Sequence, residues 1–114
     1  MSLPAEVVTA AEAALRDFCS HHSSPAIADQ VRYAYEINGL TALLLEQRPG
    51  FMNPSEWSSF PVAKFRYAVA KRQWSLYWSD SNGRWRRLSN VPATDDIRKL
   101  IKVVADDPLS VFLG

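Results

Sequence analysis

"KFRYAVAKRQWSLYWSDSNGRWRR" occupies residues 64–87 and interleaves seven Lys and Arg residues with six aromatics and one acid, Asp80. Alternate residues of a strand point to opposite faces, so the loop lengths within this stretch decide which side chains stand together. With an even turn around Lys71-Arg72 and a second turn centred on Asn82-Gly83, Phe65, Tyr67 and Val69 share a face with Trp74, Leu76, Trp78 and Trp85. The opposite face then carries Lys64, Arg66, Ala68, Ser75, Tyr77, Ser79, Arg84, Arg86 and Leu88. A three-residue loop after Ala70 reverses the parity of everything that follows and sets the tryptophans beside Lys64 and Arg66.

On the even-turn reading the tryptophans are core and Tyr77 alone stands among cations. The candidate binding surface is Lys64, Arg66, Lys71, Arg72, Tyr77, Arg84 and Arg86. Its plainest reading is a solvated sheet face, because Lys and Arg stems cover apolar surface while their heads stay in water. The same cations can grip a phosphate backbone without reading bases, or meet an acidic protein.

Working outward, residues 31–49 alternate Val31, Tyr33, Tyr35 and Ile37 with polar neighbours, and Asn38-Gly39 supplies a tight hairpin turn. A two-residue loop there sets Ile37 opposite Leu40, Tyr35 opposite Ala42 and Tyr33 opposite Leu44. The other face carries Leu43 and Leu45, greasier than a solvated surface, which calls for a covering element or a second copy of the chain. The segment "GFMNPSEWSSFP", residues 50–61, has no sustained period and reads as a connecting loop anchored by Phe51, Trp57 and Phe60.

Helices flank these strands. Val7, Ala11, Ala14, Leu15 and Phe18 follow helical spacing within residues 5–19, and "SHHSSP" should stop that helix. In the second, Thr94 is the expected N-cap, Asp95 and Asp96 suit the positive end of the dipole, Ile97, Leu100, Ile101 and Val104 form the buried stripe, and Pro108 ends it. The expected fold is α+β: an N-terminal helix, an antiparallel meander of about five strands, and a C-terminal helix, in one domain spanning residues 1–114.

Composition bounds the rest. A chain of 114 residues, 47% hydrophobic and 22% charged, is one globular domain with a modest core, which excludes a multidomain enzyme. Residues 61–90 carry seven cations against Asp80, a balance of +6, which leaves −5 for the remainder of a chain whose net charge is +1. Such asymmetry steers acidic partners to one side. The longest nearly continuous apolar run, residues 40–45, is far short of the roughly 20 residues that cross a bilayer. No basic and apolar leader opens the chain, and Cys19 is alone, so the expectation is a soluble cytoplasmic protein without an internal disulfide.

Candidate chemistry is sparse. Cys19, His21 and His22 are good zinc donors, but a structural site wants four ligands and the sequence holds no second Cys or His cluster, so no metal is expected. Cys19 has no identifiable base or orienting partner, and the plainer reading is a small buried thiol followed by two solvated histidines. Asp95-Asp96 and Asp106-Asp107 read as a dipole partner and an exit turn. No glycine-rich phosphate loop exists and no cofactor is implied. Glu46 and Arg48 share the Tyr33 face by period two, and an inward pair of opposite charges would form an ion pair before it formed a ligand site.

These residues also carry a resemblance. "EQRP", "VAKFRY", "WSLYWSDSNGRW" and "DDPLSVFLG" are similar to a bacterial family known only as a domain of unknown function, with the pattern E-x-R-P, A-K-x-x-Y, W-x-L-Y-W, a further W, D-P and F-x-G. The matching positions are Glu46, Arg48, Pro49, Ala63, Lys64, Tyr67, Trp74, Leu76, Tyr77, Trp78, Trp85, Asp107, Pro108, Phe112 and Gly114, within residues 29–114. The resemblance implies a self-contained domain and brings no activity, cofactor or catalytic residue. Three functions follow as expectations: a non-enzymatic interaction domain, self-associating through Leu43 and Leu45; sequence-independent nucleic-acid binding through the basic face; and a small enzyme using Glu46 or the Cys19 region.

Overall fold

Helix α1 (Ala5–His22) leads into strands β1 (Arg32–Asn38), β2 (Thr41–Pro49), β3 (Trp57–Ala68), β4 (Gln73–Ser79) and β5 (Trp85–Arg87), and α2 (Ile97–Asp106) follows. The computed structural model describes residues 2–22, 31–50, 52–53, 55–88 and 90–107. The strands form one antiparallel sheet in sequential order, β1-β2-β3-β4-β5. This is the expected α+β meander between two helices.

Both helices lie on one side of the sheet. Ala11, Ala14, Leu15 and Phe18 of α1 and Ile97, Leu100, Ile101 and Val104 of α2 form one core with Ala42, Leu44, Phe65, Tyr67, Trp74 and Leu76. Apolar burial of this kind contributes about 25 cal/mol per Å², which makes the six sheet residues the floor that holds both helices. Trp74 is 2% exposed and meets Tyr67 edge-on at 5.1 Å, so these two rings are core as the even turn required.

Several local expectations are corrected. The β1–β2 loop is Gly39-Leu40, with Gly39 at φ 58, so Ile37 faces Ala42, Tyr35 faces Leu44 and Tyr33 faces Glu46. The register slides by two residues, which preserves every side chain's face. Helix α1 runs past Cys19 to His22, whose ring stacks on Phe18 at 4.0 Å. The N-cap of α2 is Asp96, whose carboxylate accepts from the Arg98 N–H. Thr94 instead pairs its backbone with Trp74 and accepts the Asp96 N–H on its hydroxyl. Phe51, Ser23 to Pro25 and Pro108 lie outside the described residues.

Residues 57–61 are strand, where a connecting loop was expected. They pair with Leu45 to Pro49, and a bulge between Leu44 and Leu45 accommodates Val62 as the extra residue. The bulge hides the period, and Phe60 is 52% exposed where it was expected to anchor. β4 pairs with Lys64 to Ala68, so the first half of β3 has no described strand on its other side, and Pro61, which has no N–H to offer, sits there.

The turn 69–72 is even, with Arg72 left-handed at φ 53, and Val69 is an exposed turn residue instead of a core strand residue. The loop 80–84 is odd, because Ser79 pairs with Trp85. Trp85 therefore leaves the core face, Arg86 moves to the helix-bearing side opposite Trp78, and Leu88 enters the core. The cause is Asp80: its carboxylate accepts N–H bonds from Asn82 and Arg84, each at 2.9 Å, and this side-chain wrap widens what Asn82-Gly83 would close as a two-residue turn.

Candidate nucleic-acid interface

The face opposite the core carries no described helix, and strand register defines what stands on it. One row crosses all five strands as Glu36, Leu43, Lys64, Tyr77 and Arg87. Thr41, Arg66 and Ser75 form the row on one side of it, and Trp85 stands beside Ser79 on the other. Further toward the start of β3, Ala34, Leu45 and Pro61 form an apolar row, and Arg32, Gln47 and Ser59 a polar one, with Trp57 beyond.

Cations and rings meet here. The Lys64 ammonium lies 5.7 Å from the Tyr77 ring centre and 5.8 Å from that of Trp85. The Arg32 guanidinium lies 3.9 Å above Trp57. All three distances are within cation–π reach, and both indoles and the phenol are half-buried, with ring surface left to solvent. Arg32, Lys64, Arg66 and Arg87 oppose Glu36 alone among the strand residues of this face, so it is strongly basic. Leu45 is 9% exposed and Leu43 half-buried on this face, which no described helix covers.

Of the candidate surface read from sequence, the fold gathers Lys64, Arg66 and Tyr77. Lys71 and Arg72 lie in the 69–72 turn at one end of β4, and Arg84 lies in the 80–84 loop at the other. Arg86 is on the helix-bearing side and donates to Asp80 at 2.6 Å. That bond, then the Arg84 and Asn82 N–H groups, hold the Asp80 carboxyl below its usual range. Sequence reasoning missed Trp57, Trp85, Arg32 and Arg87. Trp57, Ser59 and Pro61 do alternate with Ser58 and Phe60, but the bulge broke the run, and nothing short of the Asp80 wrap reports the parity of Trp85.

The remaining candidates stay apart. Arg48 donates to Glu46, which faces Tyr33, and the pair is a surface-edge one, with the Arg48 side chain 58% exposed and that of Glu46 18%. Nearby, burial raises the Tyr33 hydroxyl, and the Glu46 charge raises it further. Cys19 is pushed up to about 11 by burial, the reverse of an activated thiolate. Among the described residues no group of three or more His, Cys, Asp or Glu is placed to hold a metal ion. No described helix is long and apolar enough to cross a membrane.

A family model described as a domain of unknown function (DUF3024) matches residues 3–114. The chain belongs to this family. The DUF3024 match includes α1, whereas the motif resemblance spanned only residues 29–114, so the helix whose stripe packs on the sheet is part of the family's unit. Nothing among curated proteins and nothing among solved structures matches this DUF3024 domain.

Proposed function

We propose that this DUF3024 domain is a non-enzymatic binding module whose open sheet face takes single-stranded nucleic acid. The observation that carries this reading is the placement of Tyr77 and Trp85 beside Lys64 on a face no described helix covers. Single strands need rings on which bases stack next to cations that neutralise phosphates, and stacking tolerates any base because each has a π face. Arg87 extends the Lys64 row and Arg66 stands in the row beside it.

Other uses of the molecule find less support. The Leu43 and Leu45 strip offers little free area to a second copy, since Leu45 is already shielded. An enzyme would want an activated group, and Cys19 is deactivated while Glu46 is engaged by Arg48.

The test is titration of the protein into labelled single- and double-stranded oligonucleotides at about 50 mM and about 200 mM salt. We expect micromolar binding that prefers single strands, ignores base sequence and weakens steeply with salt. Lys64→Glu with Arg87→Glu should abolish it, and light scattering should find a monomer. Absence of binding at low salt would overturn the reading and direct the basic face to an acidic protein.

A further inference from the structure

We infer that the open face holds a second, separate stacking station, the Arg32 guanidinium laid on Trp57, so that a bound single strand runs diagonally from Trp85 on β5 to Trp57 at the start of β3. The inference rests on single-strand binding by this face and adds its path and length.

The station is built, not incidental. Arg32 lies 3.9 Å over the Trp57 ring. Its Nε donates to Gln47 Oε1 at 2.8 Å, and Gln47 Nε2 donates onward to Ser59 Oγ at 3.1 Å. A long surface side chain ordinarily roams among rotamers, whereas this one is held by a ring below and an amide beside it. Arg32 is exposed, so the guanidinium plane presents a flat cationic surface to solvent. Nucleic-acid bases stack on guanidinium planes as well as on aromatic rings, and the charge serves an adjacent phosphate at the same time.

Register gives the spacing. Trp57 faces Pro49 and Lys64, the cation beside Trp85, faces Leu43 across the same β2 strand, so the second station and the Lys64 row of the first are six residues apart along it. At about 3.3 Å per residue that is about 20 Å. A stacked strand advances about 3.4 Å per nucleotide, which sets the two stations about six nucleotides apart. The surface between them is the uncharged row of Ala34, Leu45 and Pro61, with no acid to repel the backbone. A short oligonucleotide therefore reaches one station and a longer one reaches both.

Fluorescence anisotropy at about 50 mM salt, with labelled oligothymidylates of about three and about ten nucleotides, tests this on the full chain. Trp57→Ala and Arg32→Lys should each weaken the longer ligand about fivefold or more and leave the shorter one unchanged, while Trp85→Ala weakens both. Arg32→Lys keeps the charge and discards the plane, so a purely electrostatic role would leave it silent. Circular dichroism confirms that each variant is folded. Longer-ligand affinity unmoved by Trp57→Ala and Arg32→Lys, but lowered by Trp85→Ala, overturns the second station and leaves single-strand binding standing. Equal loss for both lengths in Trp57→Ala also overturns it, and no binding by the unaltered chain overturns both readings together.

Discussion

Ser79 pairs with Trp85 across the odd loop 80–84, and this one register places an indole beside Lys64 on the open face. The residue that enforces it is Asp80, through the Asn82 and Arg84 N–H groups and the Arg86 guanidinium. Replacing Asp80 with Ala should loosen β5, lower the melting temperature and weaken oligonucleotide binding although Asp80 itself is not a ligand. A red-shifted tryptophan emission from a freed Trp85 would accompany it. Binding and emission both unchanged in Asp80→Ala would refute this role.

The same carboxylate predicts a pH dependence. Its bonds to Arg86 and to the loop N–H groups lower its pKa in the folded state relative to the unfolded chain. The stabilisation is complete above the ordinary carboxylate value of about 4 and is lost as pH falls through the lower folded value. Thermal melts of the unaltered chain and Asp80→Ala should therefore converge as pH falls below about 4. A gap that widens toward acid would contradict the assignment.

Adjacent leucines should respond differently to truncation. Leu44 is fully buried under the helices, and Leu44→Ala leaves a cavity that should cost about 3 kcal/mol in urea unfolding. Leu45 is on the opposite face, outside the main core cluster, and Leu45→Ala should cost no more than about 2 kcal/mol. Equal costs would mean that a layer covers the outer face in solution.

Arg72 adopts φ 53 in the 69–72 turn, a conformation that disfavours side chains carrying Cβ. Arg72→Gly relieves that strain but adds unfolded-state entropy, so a net gain of about 0.5 kcal/mol is expected from denaturant titration. It should leave oligonucleotide affinity nearly unchanged, because Arg72 lines a cavity with Trp74, Asp95 and Asp96 on the helix-bearing side of the sheet. A destabilised variant would show that the Arg72 side chain makes contacts worth more than the strain.

Cys19 should be a slow thiol. Burial pushes its pKa up to about 11, so only a minute thiolate fraction exists at neutral pH. Iodoacetamide should label the native protein much more slowly than the urea-unfolded chain, with the difference read by mass spectrometry. Equal rates would place Cys19 in a solvated setting.

What the sequence by itself determined are the features set by local chemistry. The helical stripes of Ala11, Ala14, Leu15 and Phe18 and of Ile97, Leu100, Ile101 and Val104 were legible from spacing, and so was the order of strands between them. The face of Tyr35, Leu44, Phe65, Trp74 and Leu76 survived even a two-residue slip at Gly39, because strand period is two and only odd shifts change a face. Tertiary structure alone decided which rings meet the cations. A carboxylate reaching across the loop reversed the parity of Trp85, and a bulge at Val62 turned an apparent loop into the strand that carries Trp57. Both are one-residue changes of path made by side-chain hydrogen bonds and strand pairing, and residue periodicity along the chain does not record them.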